Sequence, residues 1–294
     1  MIDLKTLGEA LNPNTGRAAV KDIARELEAI NKATQPTPAP YTIPANLLSK
    51  GTTNAKTAKN TLDTFILYLA PATQNSRAAD LCPYRSAGCT AACLFTAGRG
   101  KFGSVKNARV NRTEYLLADP KTFLSQLALE LKAINRRYLK KGQRAAIRLN
   151  GTSDRDFIYL LKKRAGLDPL QLEALVFYDY TKDPHRVKRY AGTNYVLTFS
   201  RAEDNEPHAL EILKNGGLVS AVFAEKLPQF YKGFEVIDGD QSDDLMIKVN
   251  KAINVLKRTR KGQGIILGLK AKGDAKKDAS GFVITEHLNS KENA

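Results

Sequence analysis

The chain has 294 residues, of which 43% are apolar, enough to bury the core of one large α/β domain or of two smaller ones. Lysine and arginine outnumber aspartate and glutamate by 46 to 30, a formal net charge of +16. That excess points to a polyanionic partner or, failing that, to a cationic surface that aids solubility. No apolar run reaches the roughly 20 residues that cross a bilayer, and the opening segment MIDLKTLGEALNPNTG has no signal-peptide core. The composition thus excludes a membrane span and predicts a soluble, cytoplasmic protein with no membrane partner.

Residues 1–60 read as an appendage. A helical pattern, GRAAVKDIARELEAINKA, is followed by TQPTPAPYTIPA, where four prolines between Pro36 and Pro44 forbid a regular helix and predict an extended arm. Residues 61–294 read as the main domain. Seven short apolar runs recur in it: FILYLAP (65–71), AAIRLNG (145–151), ALVFYDY (174–180), YVLTFSR (195–201), LVSAVFA (218–224), FEVID (234–238) and GIILGLK (264–270). Continuous apolar runs are expected of strands covered on both faces, and long helical patterns such as DPKTFLSQLALELKAINRRYLKK separate several of them. The fold class predicted is α/β, a partial or complete parallel β/α barrel behind an N-terminal helical and proline-rich extension.

Polar residues collect after each run. In parallel α/β folds the carboxyl ends of the strands converge on the ligand site, so these clusters predict a functional rim; the plainer reading is a set of ordinary polar loops. Catalytic candidates on the rim are Asp154, Asp179, Lys182 and Glu203. Cofactor-binding candidates are Asn150, Ser153, Ser200, Arg201, Asp238 and Asp240. Ser153 and Asp154 are also fit to cap a helix starting near Asp156, and Asp238-Gly239-Asp240 to form a tight turn.

All three cysteines, Cys82, Cys89 and Cys93, fall within LCPYRSAGCTAACLFTAGRG. An odd count in a reducing compartment disfavours a disulfide framework. Pro83 and Gly88 keep the first part irregular, whereas CTAACLFTAG looks like a helix start that puts Cys89 and Cys93 on one face. Three thiolates suit a [4Fe–4S] cluster with one iron open to a small molecule. Zinc is the rival, needing a fourth ligand from afar, since His185, His208 and His287 are the only histidines. Buried free thiols acting as small apolar groups are the third reading.

Beyond the cysteines, TAGRGKFGSVKNARVNRTEYLL carries Arg99, Lys101 and Arg109 on a glycine-rich turn entering a helix, and GLKAKGDAKKD carries Lys270 and Lys272. These five are the candidate nucleic-acid contacts; such cations also offset thiolate charge or hold an anionic substrate. No phosphate-loop or dinucleotide fingerprint is present.

The strings CPYRSAGCTAACLFTAGRG, RLNGTSD, FYDYTK, LTFSRAEDNE, VIDGDQSD and GLKAKGDAKKDASGFV resemble a family of bacteriophage and prophage proteins named after phage gene product eighty-eight, over Leu81 to Val283. Some members carry the label replication-associated, so the resemblance implies a phage origin and a place in nucleic-acid metabolism, with no catalytic residues transferred. A first strand, a three-cysteine loop and a partial β/α barrel are also similar to radical S-adenosylmethionine enzymes, although their usual C-x3-C-x2-C spacing is replaced here by C-x6-C-x3-C.

Two functions follow as expectations. One is an iron–sulfur, radical-SAM-like enzyme that uses S-adenosylmethionine on a nucleic acid or nucleotide-derived substrate. The other is a basic, non-enzymatic nucleic-acid-binding replication accessory protein with a structural zinc or other metal site. A rolling-circle nickase is excluded: no His-x-His metal pair accompanies Tyr178 and Tyr180.

Overall fold

The computed structural model describes residues 39–51, 60–93, 95, 98–242, 245–258 and 263–285. The predicted N-terminal helix lies outside the described residues. The chain divides into two units, Met1–Ala39 and Pro40–Ala294, and only the second is described below.

All seven apolar runs contain strands: β2 (Asp63–Leu67), β3 (Ala145–Arg148), β4 (Leu175–Thr181), β5 (Tyr195–Ser200), β6 (Leu218–Phe223), β8 (Phe234–Asp238) and β9 (Ile265–Lys270). Three short strands complete a ten-stranded sheet: β1 (Leu48–Lys50), β7 (Phe230–Tyr231) and β10 (Val283–Ile284). The order is β1-β2-β3-β4-β5-β6-β9-β8-β7, with β10 also paired to β6. β1 and β7 are antiparallel to their neighbours and every other pairing is parallel. The fold is therefore mixed α/β around a mostly parallel sheet.

From β2 to β6 the chain steps one strand at a time in one direction. The short α1 (Ala87–Ala91) lies at the strand ends. Right-handed crossovers put the intervening helices on one face: α2 (Gly103–Ala118), α3 (Pro120–Lys140), α4 (Phe157–Arg164), α5 (Pro184–Arg189) and α6 (Glu206–Lys214). Leu124, Leu127 and Leu131 of α3 bury against Phe65, Leu67, Ala145 and Ile147. The step from β8 back to β9 runs the other way, so its crossover helix, α7 (Leu245–Arg258), belongs on the opposite face. Met246 of α7 packs there with Ala146, Tyr178, Val196, Leu218 and Leu267, the residues that alternate with those facing α3.

Capping fixes where the helices begin. The Asp119 carboxylate accepts from the Thr122 N–H ahead of Pro120, and the Asp156 carboxylate accepts from the Tyr159 N–H at the start of α4. The cap of α4 is thus Asp156 itself, which leaves Ser153 and Asp154 for other work. The described end of the proline-rich segment crosses α2 and α3. Tyr41 stacks on Tyr115 at 5.4 Å, the Thr42 N–H donates to Asn111 Oδ1 at 2.7 Å, and Gln126 donates to the Pro44 carbonyl.

At the carboxyl end the sheet forks. β5 pairs with β6 only as far as Ser200 opposite Ser220. β6 continues to Phe223 with β9 on one edge, and β10 occupies the other edge beside Val222 and Phe223, where β5 would have run on. Among the described residues no pairing joins β1 to β7, the two ends of the strand path.

Candidate site at the carboxyl ends of the strands

The cysteine segment lies across these strand ends. Cys82 is held at the tips of β2 and β3: its sulfur accepts from the Ala72 N–H at 3.5 Å and lies 3.9 Å from the Thr152 carbonyl. Thr152 in turn donates its hydroxyl to the Leu69 carbonyl, tying the two loops together. Further on, the Ser86 hydroxyl caps α1 by accepting from the Cys89 N–H at 3.0 Å. α1 ends at Ala91, so Cys89 is helical while Cys93 falls just past the end. The expected helix start at Cys89 is therefore corrected: Ser86 begins the helix three residues earlier, because its hydroxyl is the first group able to satisfy the free N–H groups.

Glu203, in the loop after β5, anchors this helix. Its carboxylate accepts from the Ser86 hydroxyl at 2.8 Å and from the Gly88 N–H at 2.7 Å. Burial pushes the Glu203 carboxyl up, but the Gly88 and Ser86 donors outweigh it and hold the group below its ordinary value. Gly88 touches β10's approach so closely that a Cβ there would stand 2.1 Å from Ser280 Oγ and 2.7 Å from Phe282 Cβ. Cys89 packs on the small cluster of Ala92, Ala202, Ala271, Ala275, Phe282 and Val283. The loop thus runs from the ends of β2 and β3 to the loop after β5 and the approach to β10.

The three thiols lie within electrostatic reach of one another. Burial pushes the Cys82 thiol up to about 12, with Asp154, Cys93 and Cys89 adding to the rise. Burial also raises Cys93, Cys89 adds to it, and Arg109 and Lys182 oppose it. Among the described residues no group of three or more His, Cys, Asp or Glu side chains stands at metal-holding distance. As a donor set, three soft sulfurs from one loop match the chemistry of an iron–sulfur cluster or, with one more ligand, of zinc. His185 on α5 and His208 on α6 are both exposed.

The other predicted rim residues separate into two groups. Asp179 has 0% exposure and lies on the helix-covered side of β4. Its carboxylate accepts from the Asn150 N–H at 2.9 Å, the Asn150 side-chain amide at 3.1 Å and the Tyr195 hydroxyl at 2.8 Å, with Arg148 3.9 Å away. Asn150 also accepts from the Ser153 hydroxyl and the Arg155 N–H. Asp154 receives the Lys182 N–H at 2.9 Å and pairs with buried Arg186 at 2.7 Å. These groups lock β3 and its loop to β4. Arg201 pairs with Glu206 at 2.7 Å and donates to the Phe282 carbonyl, fastening β10. Asp240 accepts from the Lys270 N–H and pairs with Lys272 at 2.7 Å, while Asp238 accepts from the Asp240 N–H in the predicted tight turn.

Nearer the cysteines stand Lys182, whose ammonium donates to the Ser200 hydroxyl at 2.7 Å, and Arg109, whose guanidinium lies 5.1 Å over the Tyr68 ring. Lys101, Lys270 and Lys272 are exposed, Arg109 is buried, and the Arg99 side chain lies outside the described residues. Sequence reasoning missed Tyr68, Ser86 and Phe282. Of these only Ser86 carried a signal, as a capping residue ahead of a helix; Tyr68 and Phe282 look like any apolar residue beside a strand.

No helix among the described residues is long and apolar enough to cross a membrane. No curated protein and no solved structure matches the chain. A family model described as Gene product 88 matches residues 46–286, which spans the sheet, the cysteine loop and β10. The chain belongs to the Gene product 88 family, a family of phage proteins.

Proposed function

We propose that this protein is a metal-dependent enzyme whose three cysteines hold a thiolate-ligated centre at the carboxyl ends of the sheet, in its finer form a [4Fe–4S] cluster used with S-adenosylmethionine on a nucleotide-derived substrate. What supports this reading is that Cys82 is held at the ends of β2 and β3 and Cys89 packs on the residues that follow β5 and lead into β10, with Cys93 within electrostatic reach of both. A parallel sheet puts ligand sites at that end, and a barrel-like curl would wrap such a centre further. The cluster, when bound, would supply redox chemistry at an iron left open to a small ligand. The chain's own part is positional. Glu203 fixes α1 through Ser86 and Gly88, Thr152 and Ala72 fix Cys82, and Lys182 and Arg109 bring positive charge beside Cys93.

The test is anaerobic purification with metal and sulfide analysis. Iron with acid-labile sulfide and a visible thiolate-to-iron absorption is the expected result, and Cys89→Ala is expected to abolish it. Full iron retention by that variant would sink the proposal. Colourless protein with one zinc would instead favour a structural metal in a basic nucleic-acid-binding accessory protein. That second reading draws on the net charge of +16 and on exposed Lys101, Lys270 and Lys272.

A further inference from the structure

Exposed positive charge concentrates at the end of the sheet opposite the cysteine loop. Between Lys132 and Arg144 the chain carries six cations, Lys132, Arg136, Arg137, Lys140, Lys141 and Arg144, and no carboxylate; all six are exposed. They occupy the last turns of α3 and the turn into β3, so they stand where the strands begin. The Asn135 side-chain oxygen accepts from the Ala174 N–H at 3.0 Å, which sets this end of α3 beside the start of β4. α4 packs next to α3 and closes on Lys162, Lys163 and Arg164, all exposed as well.

Cations near a helix C-terminus are favoured by its dipole, but that effect reaches only the last turn. Lys132, Arg136 and Lys140 instead follow one another at four-residue spacing, and Arg137 and Lys141 repeat that spacing beside them. Like charges four apart on a helix repel, whereas a glutamate in such a position would attract. Neutralising carboxylates are few. The segments leading into β2, β3 and β4 hold three among the described residues: Asp63 accepts from the Tyr138 hydroxyl, Asp168 pairs with Lys162 at 2.7 Å, and Glu173 is exposed. Among the described residues no carboxylate pairs with any of the six cations, nor with Lys163 or Arg164. Self-repulsion of this kind is relieved when an anion with closely spaced charges lies against it.

A nucleic-acid duplex has such spacing, one phosphate charge for each ~1.7 Å of its axis. No exposed aromatic ring stands among these cations, since Tyr138 is buried and Tyr159 belongs to the first turn of α4, at its far end; a single strand binds best where rings offer stacking. The apolar face of α3 is packed on the sheet, and only Leu139 emerges among the cations, too little for a helix lying in a bilayer surface. Neighbouring helices pack about 8–10 Å apart, so the cations of α3 and α4 form two rows that suit the backbones flanking a B-form major groove about 12 Å wide. The deep, narrow major groove of an RNA duplex offers no such match. We propose that the ends of α3 and α4, with the turn into β3, form a docking surface for duplex DNA, held through its phosphates without reading sequence. This surface does not rest on the metal centre, and it lies at the other end of the sheet from Lys270 and Lys272.

The test is fluorescence anisotropy of a short labelled DNA duplex of mixed sequence, titrated with the full chain at several salt concentrations. The logarithm of the binding constant is expected to fall linearly with the logarithm of salt. A triple variant, Arg136→Gln, Lys140→Gln and Arg144→Gln, should weaken binding about tenfold or more and flatten that slope by about two to three units. Its thermal midpoint should be no lower than the parent's, because like-charge pairs have gone. Lys121→Gln, roughly 30 Å away at the start of the same helix, should bind like the parent. No duplex binding at low salt, or a triple variant that binds as the parent does, would overturn the proposal. So would tighter binding to the single strand, to an RNA duplex or to vesicles containing phosphatidylserine, each of which names a different partner. A double variant, Lys270→Gln and Lys272→Gln, separates this surface from the accessory reading. Binding lost there and kept in the triple variant moves the contact to the cysteine end and ends this inference; the opposite result upholds it. Metal analysis of the same samples reports on the cysteine centre independently.

Discussion

At the scale of residues, Glu203 shows how one carboxylate seats a loop. It receives Ser86 and Gly88, one a side-chain hydroxyl and the other a backbone N–H, across a long stretch of sequence. Glu203→Gln leaves one oxygen to accept where there were two, and removal of a charge-assisted bond is expected to cost about 1–3 kcal/mol. Because the folded carboxyl sits below its ordinary value, its contribution is present above the unfolded carboxylate range and is lost as pH falls through the folded value. The protection of the Gly88 and Cys89 amides, taken relative to the free-chain exchange rate at each pH, should therefore fall in acid in the parent and depend little on acid in the Gln variant. Asp179 teaches the opposite lesson. The string FYDY puts it near a strand end, and a polar residue there reads as a rim group. The alternation of β4 instead turns it with Phe177 to the helix-covered face, where Asn150 and Tyr195 surround it. Which of two faces a residue takes depends on register, and no local pattern in FYDY encodes it.

Among the elements, α1 is the one whose limits the sequence concealed. Five residues leave no periodicity to detect, and its start is set by Ser86 meeting Glu203, a tertiary partner. Long elements were legible for the converse reason: α3 follows its apolar stripe from the Asp119 cap to Lys140, as the pattern DPKTFLSQLALELKAINRRYLKK implies. Gly88 is where α1 meets the approach to β10. Gly88→Ala would drive a methyl into Ser280 and Phe282, so it is expected to destabilise by about 1–3 kcal/mol and to loosen Cys89. Denaturant unfolding measures the first effect and thiol alkylation kinetics at Cys89 the second.

For the whole molecule, seven parallel strands could be read because each is a continuous apolar run, whereas β1, β7 and β10 are only two or three residues long and carry no such signal. The insertion of β9 between β6 and β8 was illegible too, since an apolar run says that a strand exists and not which neighbour it takes. That insertion places α7 on the second face of the sheet. Met246 is its buried contact there, 1% exposed and 3.8 Å from the Thr198 hydroxyl. Met246→Ala is expected to cost about 2–5 kcal/mol in equilibrium unfolding, a large share of the stability of a domain this size.

The fork between β5 and β6 has a consequence for biosynthesis. In a nascent chain the sulfur-bearing loop leaves the ribosome early, but Ser280, Phe282 and the strand that wedges the fork emerge only after every other strand of the sheet has been made. Until then α1 has Glu203 and the alanines around Cys89 to rest on but lacks Ser280 and Phe282 against Gly88. A fragment stopped short of β10 is expected to fold most of its sheet yet to hold the cysteine loop less firmly, with Glu203 still in place and the Gly88 side uncovered.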